Sequence, residues 1–95
     1  MLRNYEVIFA ISSKLNENET KDFAEKLKKI LEATKDVTIT SSTMEARQFP
    51  YLIKKESKGT FMTYTFQAPP EAIQSIKEEI KHREEILKST FIKKE

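Results

Sequence analysis

Arg47-Gln48-Phe49-Pro50-Tyr51-Leu52-Ile53-Lys54-Lys55, running on into Glu56-Ser57-Lys58-Gly59, is the stretch on which the reading of the fold turns. An apolar run containing a proline gives way abruptly to a basic pair and then to the only glycine of the chain. That order predicts a strand that leaves the core and enters a charged turn, as in a β-hairpin. Glycine adopts a positive backbone φ without strain, so the lone Gly59 is expected to mark that turn. Pro50 cannot donate to a strand ladder, which predicts a strand end, a bulge or a sheet edge there. Read by itself, the segment is an ordinary hairpin with solvated lysines.

The pattern continues on both sides. Before it, Val37 and Ile39 open a threonine- and serine-rich strand that reaches Arg47 or beyond, polar enough to suit a sheet edge. After it, Met62, Tyr64 and Phe66 alternate with Phe61, Thr63 and Thr65, a strand that pairs back as a long hairpin and turns Phe61 to the opposite face. Near the start, Tyr5, Val7, Phe9 and Ile11 recur at every second position with Ile8 and Ala10 between them, which predicts a central strand apolar on both faces. Asn16 and Glu19 have the spacing of a capping box, followed by Phe23, Leu27, Ile30 and Leu31 at helical spacing as far as Thr34–Asp36. Pro69-Pro70-Glu71 opens a second helix whose stripe is Ala72 or Ile73, Ile76 and Ile80. Glu84-Glu85 breaks it, and Ile86 to Ile92 forms a last strand.

The order is therefore β-α-β-β-α-β. Two right-handed crossovers interleaved in this way give a ferredoxin-like α+β fold: a four-stranded antiparallel sheet with both helices on one face. The other sheet face is left for solvent or a partner. At 95 residues the chain is read as one such domain, 1–95, with no room for a second core.

Composition removes several functions. There is no cysteine, hence no thiolate nucleophile, disulfide framework or cysteine-held zinc, and the lone His82 builds no metal cluster and reads as a surface residue. One glycine cannot make a glycine-rich phosphate loop, and Ser12-Ser13-Lys14-Leu15-Asn16 lacks the glycines that a small acylphosphate hydrolase of this topology uses. Glu78-Glu79 and Glu84-Glu85 read as solvated neighbours. Lys58-Gly59-Thr60-Phe61-Met62 starts like the third strand of an aromatic-sheet RNA binder, but Thr60 and Met62 stand where rings are required. No enzyme and no cofactor are expected. Without a signal-like or membrane-spanning apolar run, a cytoplasmic location is expected. The net charge of +2 arises after Gln48, in the groups Lys54, Lys55, Lys58, then Lys81, His82, Arg83, then Lys88, Lys93, Lys94.

Order, spacing and length together resemble the bacterial small-subunit ribosomal protein S-six family, from about Arg3 to Lys93. The resemblance is carried by Arg3-Asn4-Tyr5-Glu6, a basic-Tyr-Glu start, and by Arg47 to Lys55, similar to the family's basic, Leu-Ala-Tyr-x-Ile, basic segment with Phe49-Pro50 in place of Leu-Ala. Gly59-Thr60-Phe61, Tyr64 and the ending Glu84 to Lys93 correspond as well. It implies a structural protein of the small ribosomal subunit. Such a protein binds the central domain of small-subunit ribosomal RNA cooperatively with small-subunit ribosomal protein S-eighteen. It further implies RNA contacts at Arg3, Arg47, Lys55, Lys81, Arg83 and Lys88, with Lys54 as an added charge; Gln48 stands where a second basic residue is expected. Tyr51, Ile53 and Phe61 are expected at the partner interface. The competing reading is a ferredoxin-like regulatory or self-associating module that binds a small ligand or a protein through its sheet.

Overall fold

The structure, a computed structural model, describes residues 2–34, 36–81 and 83–94; His82, for which the sequence suggests a surface position, lies outside them. Strand β1 (Arg3–Ser12) buries Val7, Phe9 and Ile11 completely on one face and Ala10 on the other. A strand apolar on both faces is stable only with neighbours along both edges. β1 has them, β3 (Glu56–Ala68) on one side and β4 (Ile86–Lys93) on the other, both antiparallel. β2 (Thr38–Ile53) lies outside β3, so the sheet order is β2-β3-β1-β4. Helices α1 (Glu17–Ala33) and α2 (Pro70–Ile80) each join two strands separated by one strand of the other β-α-β unit. This is the ferredoxin-like α+β arrangement that the periodicity predicts.

Local signals place the helices. The Asn16 side chain accepts from the Glu19 amide at 2.7 Å, and the Glu19 carboxylate accepts from the Asn16 amide at 3.0 Å, which satisfies two otherwise orphaned donors. α2 starts at Pro70, where a missing N–H removes no helical bond. Phe23, Leu27 and Leu31 of α1 and Ala72, Ile76 and Ile80 of α2 meet Val7, Phe9, Ile11, Met62, Tyr64 and Phe66 in the main core. Within it the Tyr64 hydroxyl donates to the Ala24 carbonyl at 2.9 Å. Burial, with the Glu25 charge adding to it, pushes the Tyr64 phenol up to about 12, so this bond persists wherever the protein is folded at ordinary pH.

One expectation fails at Gly59. It has no positive φ; it lies buried within β3, opposite Ser12 of β1 and Arg47 of β2. The turn is made instead by Lys54 (φ 48°) and Lys55 (φ 69°), a two-residue loop between Ile53 and Glu56. Two successive left-handed residues define the hairpin geometry usually given to Asn-Gly, and lysine pays on the order of 1 kcal/mol per position to adopt it. Glycine is needed at 59 for space. A Cβ there would meet the Ile11 carbonyl oxygen and would come within 2.7 Å of Cζ of Phe49.

Phe49 is the cause of the second irregularity. The β2–β3 register passes from Gln48↔Lys58 to Ile53↔Glu56, so residues 49–52 bulge out against a single residue of β3, with Pro50 inside the bulge. Sixteen residues of straight strand would span about 50 Å, yet the longest dimension of the protein is 39 Å, so β2 must bend. It bends over the helix-free face of the sheet. There Phe49 joins Ala10 and Leu87 in a second apolar cluster, with half-buried Ile53 and Phe61 against it and the two phenyl centroids 5.4 Å apart.

The base of the tip is tied down by Glu56. Its carboxylate accepts from the Ser12 hydroxyl at 2.9 and 3.0 Å, from the Ser13 amide at 2.9 Å and from the Ser13 hydroxyl at 3.1 Å. Partial burial raises its pKa, but the Ser13 amide, the two hydroxyls and the Lys14 charge outweigh that and hold it below the ordinary 4.5. A depressed carboxylate stabilises the fold above its unfolded-state pKa and ceases to do so as the pH falls through its folded value. The urea midpoints of the wild type and Glu56→Ala should therefore differ near about pH 6 and converge as the pH falls toward about 3.

Gly59→Ala is expected to lower stability by about 1–3 kcal/mol in urea unfolding, the range for overpacking a closed site. In a Phe49→Ala background part of that loss should disappear, with a coupling of about 1 kcal/mol; strict additivity would mean that the ring does not set the requirement for glycine.

Candidate nucleic-acid interface

The hairpin turn meets a segment some twenty residues further along the chain where the bent tip reaches the end of α2 and the start of β4. The turn brings Lys54, the C-terminal part of α2 and its following loop bring Lys77, Lys81 and Arg83, and β4 brings Lys88 and Ser89. They line a groove of about 340 Å³ whose floor is Ile80, Ile86 and Leu87. No carboxylate is among the described residues that line it. Cations over apolar walls feel one another's field more strongly than they would in bulk water, and they focus it on an approaching anion. α2 also ends here, and its carbonyl-bearing terminus favours Lys77 and Lys81 electrostatically.

The cations are not equally available. Lys81 Nζ lies 2.7 Å from the Glu78 carboxylate, both side chains being about half exposed, so this is a rim pair of small energetic value. Lys77 Nζ sits 5.4 Å from the centroid of Phe91 on the helix-covered side of β4. Arg83 also borders a wider, mixed groove of about 550 Å³ shared with Lys14, Glu56, Glu84 and Glu85, so its charge faces both signs. Lys88 donates to the Tyr51 hydroxyl at 2.8 Å, with Nζ 5.5 Å from the ring centroid. Ring radius, C–O bond and hydrogen bond laid end to end add up to nearly that separation, so Nζ lies beyond the hydroxyl, close to the ring plane. Lys88 fixes the direction of the ring without covering either of its faces.

The basic positions expected from the sequence divide accordingly. Lys54, Lys81, Arg83 and Lys88 come together in the groove, and Lys55 stands beside them in the turn. Arg47 is elsewhere: its guanidinium pairs with Glu45 at 3.1 Å and lies 6.0 Å from the centroid of Phe61 on the open face. Arg3 pairs with Ala68 at the end of β1 remote from the tip, about 30 Å from Ser12 along the strand. Of the expected partner residues, Ile53 and Phe61 are half-buried in the open-face cluster, whereas Tyr51 is 57% exposed. Lys77 is missing from the sequence reading. Its spacing of four from Lys81 places both on one side of α2, a signal that was available but indistinguishable from any solvated helix face.

Comparison with known proteins agrees with this architecture. The family described as Ribosomal protein S6 matches residues 4–93. The small ribosomal subunit protein bS6 of Campylobacter jejuni is 29% identical over 94 residues, covering 99% of this chain and 75% of that protein. Its counterpart in Phytoplasma mali is 26% identical and is covered along its whole length. A crystal structure of 30S ribosomal protein S6 from Thermotoga maritima superposes with a TM-score of 0.92 at 25% identity, covering 99% of this chain and 89% of that one. With its strand order, its helices and its sequence matched from end to end, the chain belongs to the Ribosomal protein S6 family, non-enzymatic structural proteins of the small ribosomal subunit.

Proposed function

We propose that this protein binds the central domain of small-subunit ribosomal RNA, cooperatively with small-subunit ribosomal protein S-eighteen, on cytoplasmic ribosomes. The observation that supports RNA binding is the groove that gathers Lys54, Lys77, Lys81, Arg83 and Lys88 with no carboxylate among the described residues that line it. Lysine and arginine side chains spaced around a shallow groove suit successive phosphates of an RNA backbone, contacts that position a strand without reading its sequence. Arg47 and Arg3 lie outside the groove and would meet RNA as separate phosphate contacts. A net charge of only +2 gives weak attraction at long range. Much of the binding free energy is therefore assigned to the protein partner. The exposed edge of β2 and the open sheet face, where Phe61 and Ile53 are half-buried beside Phe49, offer that partner unpaired backbone groups and apolar surface.

Replacing Lys54, Lys81 and Lys88 together with glutamine should leave the fold intact and flatten the salt dependence of binding to central-domain RNA. Each lost phosphate contact should remove about one unit from the slope of log affinity against log salt. An unchanged slope would reduce these lysines to a solvated surface.

Binding to that RNA should be weak for the protein alone and should tighten by one or more orders of magnitude once S-eighteen is added, about 1.4 kcal/mol for each factor of ten. Equal affinities in filter binding with and without the partner would contradict cooperativity.

A further inference from the structure

We infer that the tip of the β2–β3 hairpin is a site for one unpaired nucleotide, with the base stacked on Tyr51 and its flanking phosphates held by Lys54 and Lys88. The inference rests on the RNA-binding reading above and narrows it from phosphate contacts along a basic groove to an unpaired base. Tyr51 is 57% exposed, so more than half of the surface of this aromatic residue is open to solvent. Its ring is nonetheless held in one direction, because Lys88 bonds the hydroxyl at 2.8 Å end-on. An oriented and largely exposed ring loses little conformational freedom when a base stacks on it. The same Lys88 ammonium lines the basic groove together with Lys54, three residues beyond Tyr51, so stacking surface and phosphate contacts are contiguous.

The turn adds an independent observation. Lys54 and Lys55 occupy positive φ where asparagine and glycine fit without strain, so lysine is kept there against backbone preference. Non-ideal backbone at an exposed turn points to the side chains as what is needed. A duplex would present phosphates to this groove but no free base face. An unpaired nucleotide, in a bulge, a loop or a junction, presents both.

The test compares two probes at low ionic strength: a short single-stranded RNA carrying 2-aminopurine, and a blunt RNA duplex of the same length. The wild type should quench the fluorophore and bind the single strand more tightly than the duplex. Tyr51→Leu, at an exposed position, should abolish quenching and weaken single-strand binding roughly tenfold or more, with duplex binding unchanged. Tyr51→Phe keeps the ring and should retain quenching. Unchanged quenching in Tyr51→Leu, or equal affinity for the two probes, would overturn the inference. So would a Tyr51→Leu variant that loses S-eighteen binding but keeps its RNA affinity, since the ring would then belong to the protein partner. The pair Lys54→Gln and Lys81→Gln separates the two levels. If it weakens both probes while Tyr51→Leu alters neither, stacking fails and RNA binding stands; if neither variant changes RNA binding, the broader reading fails too.

Discussion

The contact on which the rest of the structure depends is the phenyl ring of Phe49 lying over the bare backbone of Gly59. β2 is otherwise an edge strand, polar along most of its length and, after one shift between Ile39 and Ser41, in continuous register with β3 as far as Gln48. The ring leaves that register and, together with the Ile11 carbonyl, fills the space that a side chain at 59 would occupy. From this follow the bulge at residues 49–52, the bend of β2 and the cover over Ala10 and Leu87. The bend also carries Lys54 to the end of α2 and Tyr51 to Lys88. Had the strand continued straight, the tip would project into solvent and its lysines would have no neighbours.

That dependence explains what the sequence disclosed and what it did not. Alternation at Tyr5, Val7, Phe9 and Ile11, the Asn16–Glu19 capping box and Pro70 at the start of α2 are local signals, and each element stands where its signal places it. The bulge was foreshadowed by Pro50, which cannot donate to a ladder. Gly59 misled because glycine serves two needs, positive φ and close approach, and only tertiary contact tells which one applies. The groove was half legible. Lysines at 54, 81 and 88 stand out as charge, but what unites them is the path of the bent tip, a property that periodicity does not encode. The end-on bond between Lys88 and Tyr51, across 37 positions of sequence, had no signal at all.

Charge shows the same division between total and arrangement. A net charge of +2 says little about partners. Local order is what matters: five cations among the described residues face one groove, while Glu56, Glu84 and Glu85 gather with Lys14 on its neighbour and Arg83 stands between the two. Two adjacent surfaces of unlike character can thus be kept on a nearly neutral molecule, one basic and favouring phosphates, the other mixed in sign.

The sheet order has a consequence for biosynthesis. β1 is made first, yet both strands that flank it, β3 and β4, are made after β2. While the nascent chain lengthens through α1 and β2, the two apolar faces and both edges of β1 wait without a ladder partner. Because every pairing of β1 spans a large stretch of sequence, its contacts form late and together. The central strand is thus enclosed only once β4 has been made, on a machine of the kind its family helps to build.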